Sequence, residues 1–284
     1  MFSGTCSRCP WRTSATRSRR LPKPHAIRRH RHDTTLCRHR PGVRVGAAYF
    51  STILTYPAGS QAVPDSWADF WTAVSRLSET FEPTQYRSLR RSPVGTLEFA
   101  LLADGVAIEE LYPLDIDRAF ASLDRIRENV LVWWQEGKEP VELVATGSVG
   151  MASAFSPRID QLALGSSIRT LWYQGMLSAD AWVVPRGTQN DDVAMDFIAF
   201  ATRAIPTANF SRLVPYGPVN VESFEYLRRE RVEVLPSAPA NKAVQFVEDF
   251  NFWANNVDTL TERFEAGCWK PIQALPRLCC ADEI

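Results

Sequence analysis

Ala181-Trp182-Val183-Val184 is a run of bulky and β-branched residues stopped by Pro185, a pattern that suits a strand in a sheet covered on both faces. A strand of that kind needs an apolar neighbour. The chain offers a long one in Val45–Tyr56, rich in β-formers and broken by Pro57-Ala58-Gly59-Ser60, so the two are expected to pair at the centre of a sheet. The run also sets a problem, because Leu177-Ser178-Ala179-Asp180 leads a carboxylate into it. An ionised carboxylate taken out of water costs several kcal/mol unless a cation or several N–H donors meet it. Asp180 is therefore expected either to be capped by backbone amides or to be held for a ligand.

Between these strands, helix and strand patterns alternate. Ser66-Trp67-Ala68-Asp69 is a capping box opening an amphipathic helix with Trp67, Phe70, Trp71, Val74 and Leu77 on its apolar face. Arg87–Arg91 reads as a strand, and Ser92-Pro93-Val94-Gly95-Thr96 as the loop into a helix that runs to Ala103. That loop is either a plain connection or a set of N–H groups aimed at a ligand. A helix over Asp115–Val130, a strand over Leu131–Trp134, a short helix around Val141–Thr146 and a strand over Ser148–Ala152 follow. The alternation predicts an α/β fold with a largely parallel sheet. Ser153-Ala154-Phe155-Ser156-Pro157-Arg158 is again a strand end feeding a helix, where Phe155 is either core or a ring offered to a cation. Beyond Asn190 helices are expected over Asn190–Ala204, Pro206–Leu213, Glu222–Arg229 and Ala243–Ala266, with Tyr216 held in a loop between Pro215 and Pro218.

The formal charge of zero conceals two pieces. Residues 1–44 hold 12 Arg/Lys, one acid and all four histidines, whereas residues 45–284 carry 20 basic against 31 acidic side chains, a net −11. An acidic body argues against nucleic acid and favours cationic partners. Its lack of histidine excludes Ser-His-Asp and Cys-His nucleophile pairs and His-ligated metals there, and no Gly-rich phosphate loop replaces them, so no enzyme, cofactor or metal is expected. In the front piece, Cys6-x-x-Cys9 followed by His25 and His30 has the bare spacing of a zinc finger, but Pro22 and Pro24 stand where its helix should run. Arg19-Arg20 lacks the apolar segment of a twin-arginine signal, so no export signal is recognised. Residues 1–44 are read as a basic, disordered or artefactual tail. Cys279-Cys280 implies no disulfide framework.

Ser66-Trp67-Ala68-Asp69-Phe70-Trp71, Arg90-Arg91-Ser92-Pro93, Leu177-Ser178-Ala179-Asp180, Met195-Asp196-Phe197-Ile198 and Tyr216-Gly217-Pro218-Val219-Asn220 together resemble the spermidine/putrescine-type extracellular solute-binding proteins of bacterial ABC importers, over roughly residues 45–266. The resemblance implies a periplasmic-binding-protein-like two-lobed fold of type II. Residues 45–62 would form a crossover strand and a remnant of lobe I, 63–176 lobe II, and 177–284 the return crossover and the rest of lobe I. It implies a monomeric, non-enzymatic periplasmic receptor that hands a small cationic solute to permease subunits. Asp180 matches a carboxylate that holds a ligand amine, Phe155 and Tyr216 match aromatic cleft positions, Ser178 stands where polyamine binders tend to have a ring, and Ser92, Trp253 and Asn255 complete the implied site. Ring faces would add cation–π attraction of about 0.5–2 kcal/mol each. Ser178 and Ser156-Pro157 depart from the polyamine pattern, which leaves open another amine or an amino-acid-like solute, with Arg158 or Arg91 serving its carboxylate. The front of lobe I is replaced by the Arg/His tail, so the alternative expectation is a truncated or frame-shifted remnant without transport function.

Overall fold

In the computed structural model the two apolar runs lie side by side, with Val45 opposite Trp182 and Gly46 opposite Ala181. The structure describes residues 44–61, 63–72, 85–161, 167–185 and 187–268. The front tail, its Cys/His spacing, Val74, Leu77 and Cys279-Cys280 lie outside them. The elements are β1 (Arg44–Pro57), α1 (Trp67–Trp71), β2 (Arg87–Arg90), α2 (Pro93–Ala103), α3 (Ile116–Ile126), β3 (Val130–Trp134), α4 (Glu139–Ala145), β4 (Met151–Phe155), α5 (Ser156–Gln161), β5 (Ile168–Val183), α6 (Asp191–Ala201), α7 (Ala204–Leu213), α8 (Arg229–Glu233), α9 (Pro239–Lys242), β6 (Phe246–Val247) and α10 (Phe250–Cys268).

The strands form one sheet in the order β3-β2-β4-β1-β5-β6. β2 is parallel to β3 and β4, β5 is parallel to β6, and β1 is antiparallel to both of its neighbours. The expected parallel sheet therefore holds for five strands and fails at β1, which runs against all of them from the middle. Helix–strand alternation is the signature of parallel crossovers, and it governs only the unit from β2 to β4, so it carried no information about β1.

Successive residues of a strand point to opposite faces, and in β1 this divides the core. Leu54 packs with Trp67, Phe70, Phe99, Leu123, Trp253 and Phe264 from α1, α2, α3 and α10. Its neighbour Ile53 packs on the other face with Val141, Val144 and Ile159 from α4 and α5. Trp67 locks the first layer: its ring stacks on Phe99 at 3.9 Å, while its backbone and indole N–H groups donate to the side-chain and main-chain oxygens of Gln174 at 3.1 and 3.0 Å. Asp69 accepts from the N–H groups of Asp65 and Ser66 at 2.8 and 3.2 Å, which closes the expected helix start and lowers its pKa.

Four expectations shift. The strand placed at Ser148–Ala152 is β4, three residues later. Glu222–Arg229 is a 3-10 turn over Val221–Tyr226, followed by α8. The long helix from Ala243 starts only at Phe250, because β6 pairs with Met176 and Leu177 first. Most consequentially, Ala181–Val184 is not covered on both faces. The buried stretch of β5 is Gln174–Ser178, and from Asp180 to Val183 the strand is exposed, running beyond the helical layers with β1 as its paired strand. α6 likewise buries only Ile198, leaving Phe197 and Phe200 52% and 55% exposed.

α2 begins irregularly, with Gly95 at φ +85°, a backbone state that favours glycine. Its N–H turns to Oε2 of Glu98 at 2.8 Å, and Oε1 of Glu98 accepts from the Tyr112 hydroxyl at 2.6 Å and the Trp253 indole at 2.7 Å. Complete burial outweighs these donors and pushes the Glu98 carboxyl up to about 7, with the charge of Glu248 adding to the rise. A raised carboxyl favours the folded state fully below its unfolded value, near 4.5, and that contribution is lost as pH rises through about 7. Its full extent is on the order of 3 kcal/mol. In urea unfolding of wild type, stability should fall between these pH values. In Glu98→Gln the fall should shrink to the part supplied by Glu248, whose carboxyl is also raised by burial. An unaltered slope would place the titration elsewhere.

Candidate ligand-binding site

β2, β3 and β4 run parallel, so their carboxyl ends come together, the usual position of a ligand crevice in an α/β sheet. Arg90 ends β2 opposite Trp134 at the end of β3, and Phe155 ends β4. The ring of Phe155 meets Trp134 edge-on at 5.1 Å and Phe50 of β1 at 5.8 Å. Phe50 in turn meets Tyr216 at 6.3 Å. Tyr216 is brought there by Gly217, which exchanges two 2.8 Å backbone hydrogen bonds with Tyr49 at the edge of β1 beyond the last residue paired with β4. The backbone oxygen of Tyr216 is fixed by the Ser211 hydroxyl at 2.7 Å.

Ser178 is opposite Phe50 in the β1–β5 register, and Asp180 is two residues further along β5, hence on the same face. The Ser178 hydroxyl donates to Glu248 at 2.6 Å. Burial raises the Glu248 carboxyl, opposed by that hydrogen bond and by the charge of Arg90. Asp180 makes no hydrogen bond or ion pair with any described residue, and its carboxyl is raised by partial burial. The expected buried setting is therefore not found, and the carboxylate stands uncapped at an exposed part of β5. Thr52 lies on this face too, opposite Phe155 and Met176, and its buried hydroxyl has no partner among the described residues.

Phe155, Tyr216, Ser178 and Asp180 thus share one region. Ser92 borders it as the cap of α2, but its hydroxyl accepts from Val94 N–H at 3.2 Å while Gly95 N–H is taken by Glu98, so the loop spends these donors on itself. Trp253 does not join the group, since it is buried with its indole on Glu98. Asn255 is on the exposed side of α10, bonded to Asn251 O at 2.8 Å. Arg91 is paired with Glu265 at 2.8 Å. Arg158 is exposed in the first turn of α5 and, with Phe155, flanks Gly137. Phe50, Arg90 and Glu248 join this region in the structure and were not singled out by the sequence. The alternation Ala48, Phe50, Thr52, Leu54 carried the signal for Phe50, and Glu248 was hidden inside an overlong helix.

A cavity of about 280 Å³ lies elsewhere, lined by Phe120, Asp124, Arg127, Trp133 and Arg263. Its cations are already paired, Arg127 with Asp124 at 3.2 Å and Arg263 with Asp117 at 2.8 Å, so it offers no unmatched charge. Among the described residues no three His, Cys, Asp or Glu side chains converge as a metal site, and no helix is long and apolar enough to cross a membrane.

An α/β sheet with aromatic rings and charged side chains gathered at its strand ends has the place where open sheets of this class take small ligands. The chain belongs to the bacterial extracellular solute-binding protein family, whose model matches residues 44–244; this is a family of receptors, not of enzymes. It is 36% identical over 229 residues to a gamma-aminobutyric acid-binding protein of Pseudomonas aeruginosa, an alignment covering 78% of this chain and 63% of that relative. Among solved structures it is similar to an ABC transporter substrate-binding protein from Bradyrhizobium japonicum USDA 110, at 32% identity and TM-score 0.72, covering 80% of this chain and 70% of the other. It is also similar to a GABA receptor, at 34% identity and TM-score 0.71, covering 84% and 73%.

A Cβ on Gly217 would run into Ser237, whose backbone nitrogen would be 2.8 Å away. Gly217→Ala should therefore push the Tyr216 loop off β1 and lower stability by about 1–3 kcal/mol, measured by urea denaturation. Unchanged stability would show that the loop has room to spare.

Proposed function

We propose that this chain is the solute-binding component of an ABC importer, and that it holds a small amine-bearing solute against Asp180. The observation that carries this is the pairing of an unmatched carboxylate with a second acid, Glu248, beside Phe50, Phe155 and Tyr216. A short amine brings the ammonium that the exposed Asp180 carboxylate lacks, and the two can form a charge-assisted hydrogen bond. The likeness to a gamma-aminobutyric acid-binding protein supports an amino-acid-like solute over a plain cation. In this reading the chain works as a monomer in the periplasm and delivers to permease subunits. Residues 63–176 and the segments around them act as two lobes that close on the solute.

A polyamine of spermidine or putrescine type is the second reading, favoured by the presence of two carboxylates. Ser178 gives it no ring to stack on, and the guanidinium of Arg90 lies over the ring of Phe155 at 5.0 Å, where a second ammonium would sit.

Titration with 4-aminobutyrate, putrescine and spermidine should give saturable thermal stabilisation by at least one, following mass action at about 2.7 kcal/mol for a hundredfold excess over Kd. Asp180→Asn should leave the melting temperature of the free protein unchanged, since no described residue depends on the carboxylate. It should weaken binding about 10- to 100-fold. Global unfolding of Asp180→Asn would make Asp180 structural, and no stabilisation by any of these amines would refute the receptor reading.

A further inference from the structure

Two arginines of β2, three residues apart, have opposite circumstances. Arg87 is buried and finished: its guanidinium donates to the backbone oxygens of Phe70 at 2.9 Å and Tyr86 at 3.1 Å. Arg90 is half-buried at the strand end, and its guanidinium makes no hydrogen bond or ion pair with any described residue. It rests on aromatic rings instead, 5.0 Å from the centroid of Phe155 and 5.9 Å from that of Trp134. Attraction to a ring face uses the flat of the guanidinium and leaves its five in-plane N–H donors uncommitted. Such a planar fork matches a carboxylate, which can take two parallel N–H···O bonds.

The support beneath Arg90 is rigid. Trp134 is fully buried, and its indole donates to the Ser153 hydroxyl at 3.1 Å. The same hydroxyl accepts the backbone N–H of Arg90 at 3.1 Å. Glu248 lies close enough for its charge to favour the charged guanidinium against burial, without forming an ion pair within 4.0 Å. A half-desolvated cation on a fixed platform with its donors unspent has the form of an anion anchor. Arg91, by contrast, is paired with Glu265.

We propose that Arg90 is the carboxylate-holding residue of this site, so that the solute is a short amino acid with its carboxylate clasped by Arg90 and its ammonium on Asp180. This rests on the receptor reading above and adds the second pole of the ligand. Arg90 also becomes a specificity residue: placed over Phe155, it repels the second ammonium of a diamine and rewards a carboxylate.

The test is calorimetric titration of wild type, Arg90→Gln and Arg90→Lys with three probes of one chain length: 4-aminobutyrate, n-butylamine and butyrate. Wild type should prefer 4-aminobutyrate to n-butylamine, and Arg90→Gln should lose about 10- to 100-fold of its affinity for 4-aminobutyrate with n-butylamine unaffected. Arg90→Lys should recover part of the loss, having the charge without the planar fork, and it serves as the test should Arg90→Gln fail to fold. If wild type binds n-butylamine as well as 4-aminobutyrate, or if Arg90→Gln binds 4-aminobutyrate undiminished, the assignment to Arg90 is wrong and the receptor reading survives. If wild type binds none of the three probes, the assignment to Arg90 is overturned, and the receptor reading falls with it only if putrescine and spermidine also fail to stabilise the protein.

Discussion

The antiparallel seam between β1 and β5 is the interaction on which the rest depends. It runs from Arg44 opposite Val183 to Pro57 opposite Ile168, and it joins segments more than a hundred residues apart. Both helical layers take their places from it, one on Leu54 and Met176, the other on Ile53 and Ile168. A seam of such long sequence separation is costly to close in entropy, and the apolar area that it organises on two faces offsets that cost. Phe50, Ser178 and Asp180 belong to the same seam, midway along it, so the candidate site is an extension of the core's geometry.

The molecule handles its acids in two opposite ways. Glu98 is sealed inside and given three donors of its own, from Gly95, Tyr112 and Trp253. It thereby does for the start of α2 what an external anion does at the helix starts of many binding proteins. Asp180 is given nothing, and Arg90 only the faces of two rings. Even with those three donors burial keeps the Glu98 carboxyl raised, so the interior tolerates this acid by surrounding it with donors and favouring its proton. Asp180, at an exposed strand end, and Arg90, on its rings, keep their hydrogen-bonding capacity uncommitted among the described residues.

Much of this was legible in the residues, for reasons that can be named. The partnership of Val45–Tyr56 with Ala181–Val184 followed from apolar content, and the start of α1 from its capping box. Asp180, Phe155, Tyr216 and Ser178 were marked by the family resemblance, and they share one region here. What could not be read is what depends on distant contacts. The reversal of β1 leaves no local trace, because a strand has the same alternation in either direction. β6 is two residues long and exists only because Met176 and Leu177 are there to pair with it, so its segment read as helix and Glu248 went unnoticed. Trp253, which the resemblance implied for the site, turns its indole to Glu98, a contact that the sequence around it does not reveal. The exposure of Asp180 to Val183 belongs to the layers around the strand, which composition does not encode.

In β1 the even-numbered residues serve two purposes within a few ångströms of each other: Leu54 fills the core, and Phe50 and Thr52 form the floor of the site. Side chains alternate along the stretch from Phe50 to Leu54, so gain or loss of one residue there would turn Phe50 to the opposite face, whereas the pairing with β5 already shifts register between Gly46 and Ala48, as a bulge does when it absorbs an extra residue. Length is therefore constrained between Phe50 and Leu54 and less so before Ala48, whereas identity at single positions is free to vary. A lineage built on this fold can reshape the strand-end region by substitution at Phe50, Thr52 or Arg90, while changes of length fall to the segment before Ala48 and to the loops that surround the strand ends.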